Sequence, residues 1–191
     1  MLGYAAFGLL DYKDLSFEQR AFRVAYMPED IGSKFRRKWR LSSGSIYLVK
    51  KETPHSAFLV FVDQVTNGLN GLCISRLHPE KIKKRYKFET TPILWLNDSH
   101  RDVQDSIRPN PEQIFAVIEE FILRGGSSAV LLDGIEYLTQ RNGFEMTLHF
   151  IARLRDRLSQ SESRIIVSLS PKAFKKMEIN LLEKEAEVLT I

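Results

Sequence analysis

The stretch GSIYLVKKETPHSAF, residues 44–58, contains the first strand signal of the chain and the turn that follows it. Its apolar part, Ser45–Val49, is short and continuous and includes β-branched side chains. Such a run is typical of a strand whose two faces are both covered. Thr53-Pro54 then predicts the start of a helix, because a capping hydroxyl followed by proline suits the first helical turn.

Five further runs share this apolar, strand-like character: Gly71–Ser75, Ile93–Asn97, Ala129–Leu132, Arg164–Leu169 and Glu187–Ile191. The segments between them are longer and have helical spacing. In the clearest one, Asn110 and Pro111 predict a capped helix start, and Ser170-Pro171 predicts another. The strict alternation predicts an α/β domain over residues 44–191, with a mostly parallel sheet and helices on both faces. Residues 1–43 do not join the alternation and are predicted to be an N-terminal appendage or linker.

Charge is distributed unevenly along the chain. The net charge is +4, but two runs, Lys34–Arg40 and Lys81–Lys87, each carry five cations and no acid. The remainder is mildly acidic, which argues against a protein that coats nucleic acid with one whole face. The single cysteine, Cys73, excludes an internal disulfide bond and predicts a buried thiol in a reducing, cytoplasmic location.

The chain starts with an uncharged apolar stretch, Met1–Leu10. It is shorter than the roughly 20 residues that a membrane span needs, and it lacks the basic start of a signal peptide. We therefore expect no membrane span in this chain. A packed N-terminal element is favoured, and the end of a longer membrane segment is the alternative.

Open parallel sheets bind ligands beyond the carboxyl ends of their strands. The candidate ligand or partner surface is the set of residues just after these ends: Arg76, His78, Asn97, Asp98, Asp133, Gly134 and Glu136. Asp133 and Glu136 could bind a metal or act as a base, but a helix cap at Asp133 is the favoured interpretation. Arg76 and His78 suit either an anion or a salt bridge to Asp133 or Asp98. In both cases Arg76 and Asp133 should lie close together.

Two other clusters are weaker candidates. The long connection at residues 98–109 carries Asp98, His100, Asp102 and Asp105, but their spacing matches no metal-binding pattern. No catalytic residue and no metal ligand is therefore predicted. The Lys81–Lys87 run, which contains Tyr86, could contact phosphates and stack a nucleic-acid base, although a solvated helix face is favoured.

The element order from residue 44 onward resembles RecA- and KaiC-type ATPases. GSIYLV and GLCIS are similar to the opening strands of those proteins, and Ala129–Asp133 resembles the Walker B strand, whose Asp holds magnesium through water. The phosphate-loop position departs from the pattern Gly-x-x-x-x-Gly-Lys-Ser/Thr. It consists of Lys50, Lys51, Glu52, Thr53, Pro54, His55 and Ser56. It has no glycine, its proline lacks an N–H donor, and its glutamate repels a triphosphate. No cofactor is therefore expected, and a bound Mg-nucleotide is the alternative.

A closer resemblance is to archaeal proteins grouped as domain of unknown function eight-three-five, through the phrases GSIYLV, GLCISR, TPILWLN, LLDGIEYL, NGF and LRDRL. This resemblance implies a signalling module. The leading hypothesis is a non-catalytic regulatory or protein-interaction module in archaeal signal transduction, with a protein partner. One alternative is a diverged nucleotide-binding enzyme that uses Asp133 and Glu136 with a metal. Another is nucleic-acid binding through the basic runs. Homo-oligomer formation is left open.

Overall fold

A computed structural model describes residues 38–88, 90–98 and 105–191. Over these residues the chain forms seven strands: β1 Ser45–Lys50, β2 Asn70–Ser75, β3 Ile93–Leu96, β4 Ser106–Ile107, β5 Ser128–Asp133, β6 Arg164–Leu169 and β7 Glu187–Val188. The strands form one sheet in the order β4-β3-β2-β5-β6-β1-β7, and all neighbours are parallel. The predicted parallel α/β fold is confirmed.

Six α-helices lie in the same ranges: α1 His55–Thr66, α2 Pro79–Tyr86, α3 Pro111–Leu123, α4 Ile135–Asn142, α5 Phe144–Leu158 and α6 Lys176–Glu185. Helices α1 and α2 cover one face of the sheet, where Phe58 and Ile82 join its buried side chains. The other four helices cover the opposite face, which contains the larger core. Helices therefore lie on both faces, as the continuous apolar strands predict.

The central strand β5 shows why the strands read as unbroken apolar runs. All six of its residues are buried. Successive side chains point to opposite faces, so Val130 and Leu132 join one core whereas Ala129 and Leu131 join the other. Between Ser128 and Asp133, at the two ends of the strand, every side chain is apolar.

Capping signals in the sequence predicted one helix start correctly and two others only approximately. The side chain of Asn110 accepts hydrogen bonds from the N–H groups of Glu112 and Gln113, at 2.9 and 3.2 Å, so the predicted start of α3 is confirmed. Thr53 does not cap α1, because Pro54 occupies the N-cap position. Ser170-Pro171 begins only a 3₁₀ turn, Pro171–Ala173, and the α-helix follows at residue 176.

The ends of the sheet also differ from prediction. The connection at residues 98–109, predicted to be irregular, contains β4, which pairs with β3 through Trp95 and Leu96. Of the predicted last strand, Glu187 and Val188 form β7 beside β1, and the N–H of Leu189 adds one hydrogen bond to the Leu48 carbonyl at 2.9 Å. Within the described ranges, none of the helices is long and apolar enough to cross a bilayer.

Two other predicted features fall partly or wholly outside the described residues. Residues 1–37, which include Met1–Leu10 and most of the first basic run, are among those not described. The end of the predicted appendage is described and packs on α1. The N–H groups of Lys38 and Trp39 donate to the carboxylate of Asp63, at 2.9 and 3.1 Å.

Charged pairs join the helices of the larger layer. Three arginines on the outer face of α5 bind acids of its two neighbours. Arg153 and Arg157 pair with α3 at Glu112 and Glu119, at 2.5 and 2.9 Å, and Arg155 pairs with Glu185 of α6. The charged side of α5 is thus linked by ion pairs to the two neighbouring helices.

Candidate functional site

Strands β2 and β5 end level with each other, at Ser75 and Asp133, and Ser168 of β6 lies beside Asp133 in the register. Asp133 is 8% exposed, and the hydroxyl of Ser75 donates to its carboxylate at 2.6 Å. The same hydroxyl oxygen accepts the N–H of Leu77 at 3.0 Å, which orients it. Sequence reasoning missed Ser75, although its place as the last residue of GLCIS is the signal that could have found it.

Asp133 does not cap the helix that follows it. The N-cap of α4 is Gly134, which has no side chain. The Asp133 carboxylate instead accepts a hydrogen bond from the hydroxyl of Ser75. The favoured sequence interpretation of Asp133 as a helix cap is therefore wrong, because the carboxylate turns toward the end of the neighbouring strand β2.

Arg76 lies beside Asp133, as the sequence predicts: its N–H donates to the Asp133 carbonyl at 3.2 Å. Its guanidinium lies 3.8 Å from the centre of the Tyr137 ring, and Nη1 donates to the carbonyl of Leu96 at 2.6 Å. Asp98, the other predicted partner, pairs with Arg141 at 3.2 Å. Arg141 also lies over Tyr137, 5.3 Å from the ring centre. Tyr137 and Arg141 were missed, although both follow Glu136 on the same short helix.

Gly134 allows this arrangement. Its φ is +127°, a conformation that side chains with a Cβ rarely adopt. A Cβ there would lie 2.8 Å from Cγ of Arg76 and 2.9 Å from Cδ2 of Leu96. The absence of a side chain at this position lets the arginine cross the start of α4 and reach Tyr137.

His78 and Asn97, which were also predicted to belong to the candidate surface, both contact groups at the same strand ends. His78 caps α2, since its Nδ1 accepts the N–H of Glu80 at 3.3 Å. Its ring packs on Trp95, with 4.9 Å between ring centres. Asn97 is 6% exposed, and its side chain donates to the carbonyl of Trp95 at 3.3 Å. We call the exposed and half-buried group formed by Arg76, His78, Trp95, Asp98, Tyr137 and Arg141 the carboxyl-edge cluster.

Two carboxyl groups at this edge hold protons more strongly than usual. Burial raises the pKa of Asp133, although hydrogen bonding from Ser75 and the charge of Arg76 oppose the shift. Burial also raises the pKa of Glu136, opposed by the N–H of Ser170, which donates to Oε1 at 2.6 Å. Both carboxylates are thus held by protein donors.

Residues at the phosphate-loop position form ion pairs and hydrogen bonds with other parts of the protein. Lys50 ends β1 and pairs with Glu183 of α6 at 2.5 Å. The N–H of Lys51 donates to the carbonyl of Leu169 at 3.0 Å, and Glu52 pairs with Lys172 at 3.3 Å. Thr53 is exposed, Pro54 occupies the N-cap position of α1, and His55 and Ser56 lie in the first turn of that helix.

His55 turns toward α2. Its Nδ1 lies 3.0 Å from the hydroxyl of Tyr86. Phe58 stacks on the Tyr86 ring, with 4.5 Å between centres and an angle of 6° between planes. The half-buried ring that was predicted to be able to stack on a base therefore has one face covered by Phe58.

The positions of the side chains bear on two kinds of chemistry, metal binding and thiolate catalysis. Across the described ranges, no group of three or more His, Cys, Asp or Glu side chains is placed to hold a metal ion. His100 and Asp102 lie outside those ranges. Cys73 is buried, and burial raises the pKa of its thiol well above the usual value, which disfavours thiolate chemistry.

Gly134→Ala should lower the free energy of unfolding by about 2–5 kcal/mol. Positive φ costs roughly 1–2 kcal/mol and overpacking against Arg76 and Leu96 about 1–3 kcal/mol. The control is Gly143→Ala, at φ +83° with no described atom near the new Cβ, where only the first cost applies. Urea unfolding measures both variants, and equal losses would contradict the steric role of Gly134.

Asp133→Asn should change how stability depends on pH. The raised pKa means that the folded wild type binds a proton up to higher pH than the unfolded chain. Wild-type stability should therefore fall, relative to the variant, as the pH rises from about 4 through the raised pKa. Thermal unfolding between about pH 4 and pH 8 tests this, with Asp98→Asn as an exposed control. Parallel profiles for wild type and Asp133→Asn would refute it.

Comparison with known proteins gives a family but no curated relative. The structure is similar to that of the PH0250 protein of Pyrococcus horikoshii OT3, with 14% identity and a TM-score of 0.48, over 78% of this chain and 82% of that chain. A search of the curated proteins finds no match. The family model described as "Protein of unknown function (DUF835)" matches residues 50–186. Because this match covers more than two thirds of the chain, the protein belongs to the DUF835 family.

Proposed function

We propose that this protein is a non-catalytic regulatory or protein-interaction module on a degenerate RecA/KaiC-like scaffold, acting in archaeal signal transduction. The proposal rests mainly on the ion pairs that residues at the phosphate-loop position form with other parts of the protein. Lys50 pairs with Glu183, and Glu52 pairs with Lys172. Both charged side chains are thus paired within the protein, whereas a phosphate loop needs a lysine whose ammonium reaches the β and γ phosphates.

The connection itself supports the same conclusion. Only four residues, 51–54, separate β1 from α1. A phosphate loop wraps its ligand with successive N–H groups, which requires glycines and several more residues. Pro54 supplies no N–H, and the N–H of Lys51 is used by Leu169.

The carboxyl-edge cluster is the surface that we assign to a protein partner. It combines two aromatic residues, Trp95 and Tyr137, with two exposed arginines, Arg76 and Arg141. Trp, Tyr and Arg are the residues that contribute most often to binding energy at protein interfaces. The stacking of both arginines on Tyr137 holds their side chains in place, which reduces the entropy lost on binding.

One observation favours a second candidate, a diverged nucleotide-binding enzyme. Asp133 and Glu136 both have raised pKa values at a strand end, and such groups are typical of sites that transfer protons or bind metals. Nucleic-acid binding, the third candidate, keeps the exposed lysines of α2, but Phe58 covers one face of the Tyr86 ring that a base would need.

Mg·ATP, Mg·GTP and cyclic AMP should leave the thermal unfolding temperature unchanged. A ligand present at 100 times its dissociation constant would stabilise the fold by about 2.7 kcal/mol, a shift of several degrees. A shift that Asp133→Ala abolishes and Asp98→Ala preserves would overturn the non-catalytic proposal in favour of the enzyme.

A photo-reactive residue placed at Asp98 should form a discrete adduct with another protein in cells. Leu123 is the matched control site, since it is 65% exposed and ends a helix that runs back to the opposite edge of the sheet. The charge reversal Arg76→Glu should reduce the adduct from position 98. Adducts of equal yield from both sites, or none from position 98, would count against the carboxyl-edge cluster as the interface.

A further inference from the structure

Helix α2 has one buried side and a broad cationic side. Ile82 is fully buried, and Tyr86 and the following Phe88 pack against α1. These apolar contacts hold the helix flat against the protein. After Pro79 and the exposed Glu80 of the first turn, the remaining side chains are exposed and basic: Lys81, Lys83, Lys84, Arg85 and, just after the helix, Lys87.

Most cations of α2 have no carboxylate partner among the described residues. The arginines of α5 and the basic groups at residues 50, 124, 141 and 172 all pair with carboxylates. Of the five cations of α2, only Lys83 pairs with a carboxylate of a described residue, Glu80, at 3.2 Å. Positive charge on this helix is therefore available to an outside partner.

An exposed apolar side chain adjoins the cations. Leu59 of α1 is 40% exposed. It lies one helical turn after His55, so the two share a face of α1. His55 in turn touches Arg85, with 3.5 Å between Nδ1 and Nη2. Leucine, histidine and the cationic side of α2 therefore form one continuous surface.

We propose that this surface docks the protein onto a bilayer rich in anionic lipids, with the α2 cations at the headgroups and Leu59 in the interface. Lysines dominate the patch, and their flexible point charges suit diffuse anions better than a single shaped ligand. An exposed leucine beside the charges adds an apolar contact that a lipid interface accepts. Single-stranded nucleic acid fits less well, because Phe58 covers a face of the Tyr86 ring. The proposal does not depend on the carboxyl-edge cluster.

The full chain should bind vesicles that contain about 30% phosphatidylglycerol in phosphatidylcholine, and bind pure phosphatidylcholine vesicles much more weakly. The double variant Lys81→Gln/Lys84→Gln should lower the partition coefficient roughly 25-fold, since each lysine near an anionic surface contributes about fivefold. Gln replaces Lys with little change in helix propensity. Flotation of vesicles in a density gradient measures the partition.

The matched control is Lys176→Gln/Lys184→Gln, which removes the same charge from exposed positions of α6. It should bind like wild type, and thermal unfolding should show that both double variants are folded. Leu59→Asn should weaken vesicle binding several-fold and leave binding to duplex DNA unchanged. Equal binding to neutral and anionic vesicles, equal losses for the two double variants, or tighter binding to DNA than to vesicles at the same salt concentration would each overturn the proposal.

Discussion

Strand β5 lies between β2 and β6 with every side chain buried, and this burial on both faces constrains everything around it. A strand covered on both sides needs helices on both sides, and parallel neighbours need crossover connections that return to the same end of the sheet. Those connections bring the carboxyl ends of the strands to one edge. The apolar run of β5 ends at that edge, where Asp133 is the first charged side chain of the strand.

Local pattern predicted what is determined locally. Five of the seven strands, the start of α3 and the burial of Cys73 follow from runs of residues or from adjacent capping groups. Strand β4 did not, because its two residues are a strand only through pairing with Trp95 and Leu96 of β3. The extent of the last strand was overestimated for a related reason: an apolar run forms a strand only where a neighbour is available to pair with it.

The candidate site shows the same limit. The sequence predicted that Arg76 and Asp133 lie close together, because parallel strand ends meet at one edge. It did not predict what each group binds. Ser75 is 58 residues from Asp133 in sequence, and Tyr137 receives the guanidinium of Arg76 only because Gly134 leaves a path. Likewise, the missing phosphate loop was visible in the sequence, whereas the pairing of Lys50 with Glu183 depends on packing between distant elements.

One side chain belongs to two surfaces. The His78 ring packs on Trp95 in the carboxyl-edge cluster, and its Nδ1 is the cap of the basic helix α2. A molecule that engages Trp95 and turns that ring would also remove the cap and loosen the first turn of α2, where the row of lysines begins. Binding at the carboxyl-edge cluster would therefore change the order of the basic helix α2 through the His78 ring alone, without movement of the sheet.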